Sequence, residues 1–211
     1  MKIRIGLIVT AFLLFTTACG TATSESSDAV GESANQTNEQ TDSNGALEEK
    51  GVNLTNYRAE EGVVKSFTSN GQPHFNEEII DQNKTYVQRV ITLGSMKTLQ
   101  ILKWTEEDVS IVEEESNPEQ IQSKLDGFEA VEEVDTLLTL SDESNRTVTL
   151  LESVEVPYGT FEDVIEMKRS IGEENMVVTT YYAPNTGLIK QVYEIGGDQP
   201  QKEIVELASI K

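Results

Sequence analysis

Residues 53–211 predict a mainly β domain: a curved antiparallel sheet or half-barrel with at most a few short helices, so that an α+β variant remains open. Three observations lead there. Short runs rich in Val, Ile, Thr and Tyr alternate in polarity with a period of two, as a half-buried strand requires. Gly, Asn, Asp and Pro punctuate those runs at hairpin intervals. A single stretch, Pro118–Leu125, has the composition of a helix, with Asn117 placed to cap it and Pro118 at its first position. About 160 residues make one domain by the usual length prior.

In chain order the expected strands are Gly62 to Thr68, Glu77 to Asp81, Lys84 to Thr92, Lys97 to Trp104 and Val109 to Glu113. Turns fall between them at Ser69-Asn70-Gly71, Gln82-Asn83, Leu93-Gly94-Ser95 and Glu106-Glu107-Asp108, the pattern of a hairpin meander. After the expected helix come Thr136 to Leu140, Arg146 to Val156, Thr160 to Ser170, Asn175 to Ala183, Leu188 to Ile195 and Lys202 to Ile210. Val156-Pro157-Tyr158-Gly159 and Pro184-Asn185-Thr186-Gly187 read as reversals, because Pro fixes φ and cannot donate to a ladder while Gly permits the turn. Tyr181 and Tyr182 must face opposite sides of the sheet.

The first twenty residues carry an address. Lys2 and Arg4 precede an apolar run of 14 residues, Ile5 to Ala18, too short to span a bilayer and followed at once by Cys19 and Gly20. Thr16-Thr17-Ala18-Cys19 resembles the lipobox of bacterial lipoproteins, with Thr16 where that family usually has leucine. The resemblance implies cleavage before Cys19 and a diacylglycerol on its sulfur, a two-chain anchor that holds where one chain alone is marginal. Cys19 is the only cysteine among 211 residues, so no internal disulfide competes for it. The organisation expected is a signal peptide at 1–18, a lipid-anchored polar and acidic linker at 19–52, and one extracytoplasmic domain at 53–211. The linker, rich in Ser, Thr, Asn, Gln and Glu, has too little apolar surface to fold.

The second half resembles a wider group. Val156-Pro157-Tyr158-Gly159-Thr160-Phe161-Glu162-Asp163-Val164-Ile165-Glu166 is similar to a "VPAGTFxxVIxV" segment seen in many uncharacterised bacterial lipoproteins, and the resemblance suggests a Gram-positive one. Tyr181-Tyr182-Ala183-Pro184-Asn185-Thr186-Gly187-Leu188-Ile189-Lys190 is similar to their "YYAPGVGLVK", with Asn185-Thr186 in place of Gly-Val and Tyr158 in place of alanine. The resemblance covers about the last 65 residues. It implies a curved antiparallel sheet like the half-barrels of lipoprotein carriers and sensors, which receive lipid or peptide on a concave face.

Composition narrows the functions. The net charge is −21, and removing residues 1–18, whose only charges are Lys2 and Arg4, leaves −23. Such a chain repels phosphate backbones and anionic headgroups, so no nucleic-acid partner is expected and the lipid on Cys19 must do the anchoring. No catalytic residue, metal ligand set or cofactor motif is assigned. His74 is the single histidine, read in a turn-rich stretch, and neither a nucleophile elbow, a P-loop, a paired-glycine fingerprint nor an HExxH is present. Glu106-Glu107-Asp108 and Glu113-Glu114-Glu115 read as solvated strand ends that discourage edge pairing. About 160 strand-rich residues cannot supply the two α/β lobes of a transporter's binding protein.

The expectation is therefore a non-enzymatic lipoprotein, held on the outer side of the cell membrane, that binds an apolar ligand or peptide in its concave sheet; the alternative is a pocketless structural or interaction module of the envelope with a protein partner. Trp104, the only tryptophan, and Tyr182 are the candidate ligand-binding residues. Mass spectrometry of membrane-derived protein should find a chain beginning at lipidated Cys19. A Cys19→Ser variant should leave the membrane fraction.

Overall fold

The computed structural model describes residues 51–141, 145–172, 176–197 and 199–211. The expected signal peptide at 1–18, Cys19 and the expected linker through residue 50 lie outside the described residues. The strands are β1 (Val64–Ser69), β2 (Gln72–Gln82), β3 (Tyr86–Leu93), β4 (Met96–Trp104), β5 (Asp108–Ser116), β6 (Asp135–Thr139), β7 (Arg146–Val156), β8 (Gly159–Ile171), β9 (Met176–Ala183), β10 (Gly187–Ile195) and β11 (Gln201–Ile210). They form one sheet in the order β6-β5-β4-β3-β2-β1-β11-β10-β9-β8-β7. The mainly β class stands, and no α-helix occurs among the described residues. No described helix is long and apolar enough to cross a membrane.

Every neighbouring pair in that order is antiparallel. With an odd number of strands, the two edges β6 and β7 must then point the same way, so direct closure would need a parallel pair, which a connection as short as residues 140–145 rarely serves. The sheet curls until side chains meet across the seam: Arg169 on β8 donates to Asp135 at 3.0 Å and to the Thr136 carbonyl at 3.3 Å, both on β6. One apolar core fills the concave side, drawing Phe67, Ile79, Leu102, Leu138, Val148, Val164, Ile189 and Leu207 from around the sheet. The result is a nearly closed barrel.

All eleven expected strands form, and the turn chemistry explains their register. Ser69 pairs with Gln72 across Asn70 and Gly71, both at positive φ (51° and 75°), the two-residue hairpin that an Asn-Gly sequence favours. The strand that differs most from expectation is β2, which begins at Gln72 instead of Glu77. Pro73 is accommodated because the β1–β2 register slips between Ser66 and Thr68, so a residue without an N–H enters at an irregularity. His74 consequently lies in a strand, not in a turn, with Nδ1 4.0 Å from Glu203.

The expected helix at Pro118–Leu125 does not form. Residues 117–134 instead make an extended strap over the outer face of β3–β5. Gln88 supplies the hydrogen bonds that a helix would have made internally: its Nε2 donates to the Gln122 carbonyl and its Oε1 accepts from the Lys124 N–H, each at 2.8 Å. Leu125 closes a second apolar cluster with Val90, Leu99, Ile101 and Val112, and Phe128 meets Tyr86 edge to face at 5.0 Å. Burying those apolar faces outweighs the weak local preference of eight residues for a helix.

A plug that the sequence reading missed sits inside the barrel. Leu54–Tyr57 forms one 3₁₀ turn, capped by Asn53, whose side-chain Oδ1 accepts from the Thr55 N–H at 2.9 Å. Leu54, Tyr57 and Ala59 are buried in the main core. The Leu54 carbonyl accepts from the Trp104 indole at 2.7 Å, and the Tyr57 hydroxyl donates to the Asp163 carbonyl at 2.7 Å. Leu54 is wholly buried, so Leu54→Ala should cost about 2–5 kcal/mol by urea denaturation. A chain starting at residue 52 should melt like the full-length mature protein, whereas one starting at residue 60, without the plug, should melt far lower.

Candidate functional site

The interior of the barrel holds a row of polar side chains that crosses five strands. Lys65 on β1 meets Glu77 on β2, Nζ to Oε2, at 2.5 Å. The other carboxylate oxygen of Glu77 accepts from Arg89 on β3 at 2.7 Å. Arg89 Nε donates to Gln100 on β4 at 2.9 Å, and Gln100 donates to Glu114 on β5 at 2.6 Å. Lys65 and Glu77 are 1% and 3% exposed, so the row runs from a dry centre out to the exposed Glu114.

Lys65 finds its remaining acceptors across the barrel. Its Nζ donates to the carbonyls of Thr186 at 2.9 Å and Leu188 at 3.1 Å, which flank Gly187 in the β9–β10 reversal. Gly187 has φ of +74°, and a Cβ there would lie 3.5 Å from Lys65 Nζ and 3.4 Å from the Tyr57 carbonyl. The Pro184-Asn185-Thr186-Gly187 segment is therefore a cradle for a buried ammonium as well as a turn, and the Asn185 N–H ties it to the plug through the Asn56 carbonyl at 2.8 Å.

Burial alone would raise the Glu77 carboxyl, but Lys65 and Arg89 outweigh it and hold its pKa down at about 2. Burial pulls the Lys65 ammonium below its usual value, and Glu77 opposes that pull. A carboxylate held so low neither takes nor gives a proton near neutral pH. The cluster is an electrostatic fastener, three charges buried because each has a partner.

Both sequence-nominated residues border this cluster. Trp104 and Tyr182 line the same interior space as Lys65, Glu77, Arg89 and Leu188. They are 6% and 4% exposed. The one polar atom of the Trp104 side chain is spent on the plug, and burial pushes the Tyr182 hydroxyl up to about 12. The space left between them is about 10 Å³, which is the room a single water needs. Tyr181 faces the other side, as alternation required, with Lys190 Nζ 5.9 Å from its ring centre.

The acidic run on β5 divides between the two faces. Glu114 turns inward to Gln100, while Glu113 and Glu115 both take Lys124 of the strap, at 2.8 and 2.7 Å. No group of three metal-ligating side chains occurs among the described residues. Sequence reasoning passed over Lys65, Glu77 and Arg89 because charged side chains are ordinarily assigned to solvent. One signal was there: Lys65 shares a strand face with Phe67, Glu77 with Ile79, and Arg89 with Val87, so each charge sits in phase with a core residue.

No family model matches the chain, and no curated protein does. Two solved structures resemble it. A protein of Bacteroides fragilis described as a putative exported protein with YmcC-like fold aligns at a TM-score of 0.40 and 13% identity, over 72% of this chain and 97% of its own. A putative lipoprotein of Parabacteroides distasonis aligns at 0.39 and 14%, over 74% and 98%. Likeness at that level assigns neither fold nor function to this chain.

Glu77→Gln should cost about 3–5 kcal/mol, because it leaves Lys65 and Arg89 buried beside a neutral group. The sign with pH follows from the depressed carboxyl. Its contribution is present above the ordinary carboxylate pKa and is lost as pH falls from about 4.5 towards 2. Urea midpoints measured down that range should fall more steeply for the wild type than for the variant.

Proposed function

We propose that this chain is a lipid-tethered, extracytoplasmic, non-enzymatic interaction module whose partners meet its outer surface. The observation that carries this reading is the interior: the concave face that a carrier would leave open is occupied by the Leu54–Tyr57 plug and the Lys65–Glu77–Arg89 cluster, with about 10 Å³ to spare. A typical small-molecule pocket is some 300–1,000 Å³. The signal segment, the lone Cys19 and the polar linker support an anchor on the outer side of the membrane, with the lipid as the membrane contact.

A second reading is a carrier for an apolar ligand. It is favoured by one fact: Trp104 and Tyr182 converge on the same interior space. Such a ligand would have to expel the plug and bury its chain against three charges. The two readings part on a direct measurement. The mature protein purified from bacteria should yield no stoichiometric lipid on extraction beyond that on Cys19, and its melting temperature should not move with fatty acids or phospholipids. A co-purifying lipid, or a shift that grows with ligand concentration, would replace the interaction module by the carrier.

A further inference from the structure

We infer that the groove between the strap and the outer face of β5 is a docking site for an apolar and basic segment of another polypeptide. This rests on the interaction-module reading and specifies where the partner sits and what chemistry it brings. The groove has a volume of about 270 Å³. Val112 of β5 and Phe128, Val131 and Val134 of the strap give it an apolar lining. Val131 is 94% exposed and Val134 61%, the most exposed large apolar side chains among the described residues. The strap has already buried Leu125 against the sheet, so the chain had apolar residues to cover its own outer face and left these two facing solvent.

Charge selects the occupant. Glu113, Glu129 and Glu132 rim the groove. Glu113 is taken by Lys124, but Glu129 and Glu132 have no ion pair among the described residues, and no Lys or Arg lines the groove. A wholly apolar occupant would bring hydrocarbon against those carboxylates, and an acidic one would be repelled. A segment alternating Lys or Arg with Leu or Val would place its aliphatic side chains on Val131 and Val134 and its cations on Glu129 and Glu132. The acidic field of the whole chain would speed its approach.

The test uses residues 19–211 carrying Cys19→Ser and a ten-residue peptide alternating Lys and Leu, followed by fluorescence anisotropy at low and physiological salt. The Lys/Leu peptide should bind saturably. Val131→Asp and, separately, Glu129→Lys with Glu132→Lys should each weaken it at least tenfold with the melting temperature unchanged. Reversal of the exposed pair Glu60 and Glu61 to Lys, the same change in net charge outside the groove, should weaken it no more than twofold. No binding would overturn the inference. So would equal binding of decalysine, or equal losses from the two charge reversals, since either would reduce the effect to net charge. A failure here with no lipid found in the barrel would leave the interaction module standing without this site, whereas a lipid in the barrel would remove the module itself.

Discussion

The contact on which the rest of the barrel depends is the buried pairing of Lys65 with Glu77, closed on one side by Arg89 and on the other by the carbonyls of Thr186 and Leu188. A strand carrying a buried lysine cannot slide. A slip of one residue would turn its ammonium to the outer face and leave Glu77 facing Arg89 alone. Because the acceptors come from β2 and from the β9–β10 reversal, one side chain fixes the first strand to a wall of the barrel more than a hundred residues away. Replacing such a cluster by well-packed apolar side chains of equal volume is often neutral or stabilising, so its contribution is to register and uniqueness more than to net stability.

That fastener explains the packing around it. The reversal must bring the carbonyls on either side of Gly187, those of Thr186 and Leu188, within reach of one ammonium, and the φ of +74° that does so is one that glycine adopts without strain. The plug then covers what would be a hole at the same end, with the Trp104 indole holding its first carbonyl and the Asn185 N–H its third. Plug, reversal and ion cluster thus share their boundary atoms. Loss of one leaves polar groups of the others buried without partners, at a cost of about 1–3 kcal/mol each.

The strand pattern was legible in the sequence because strand period and turn chemistry are local properties: Asn70-Gly71 and the Val/Ile/Thr alternation of β3, β4, β7 and β9 read directly. The same locality hid three features. The strap has the residues of a helix, and only the outer face of β3–β5, with Gln88 offering backbone-like bonds, makes it lie flat. The plug is too short to carry any periodicity. Lys65, Glu77 and Arg89 look like ordinary surface charges until β1, β2 and β3 are set side by side. Trp104 and Tyr182, picked as aromatic residues of the sheet, do meet in space, but what they border is this cluster and not an open groove.

The two faces of the sheet are therefore finished differently. Inside, Lys65, Glu77 and Arg89 are matched to one another, and the space beside them holds the room of one water molecule. Outside, the strap buries Leu125, spends Lys124 on Glu113 and Glu115 and Glu133 on Lys103 at 3.4 Å, yet turns Val131 and Val134 outward between carboxylates. Residues 19–52 hold seven acids and one Lys, so −17 of the −23 carried by residues 19–211 belongs to residues 53–211. A domain that acidic repels anionic surfaces and attracts cationic chains from solution. On the strap its two most exposed large apolar side chains among the described residues, Val131 and Val134, lie beside two carboxylates without an ion pair, Glu129 and Glu132, and that coincidence, more than either alone, turns a surface irregularity into a place for a partner.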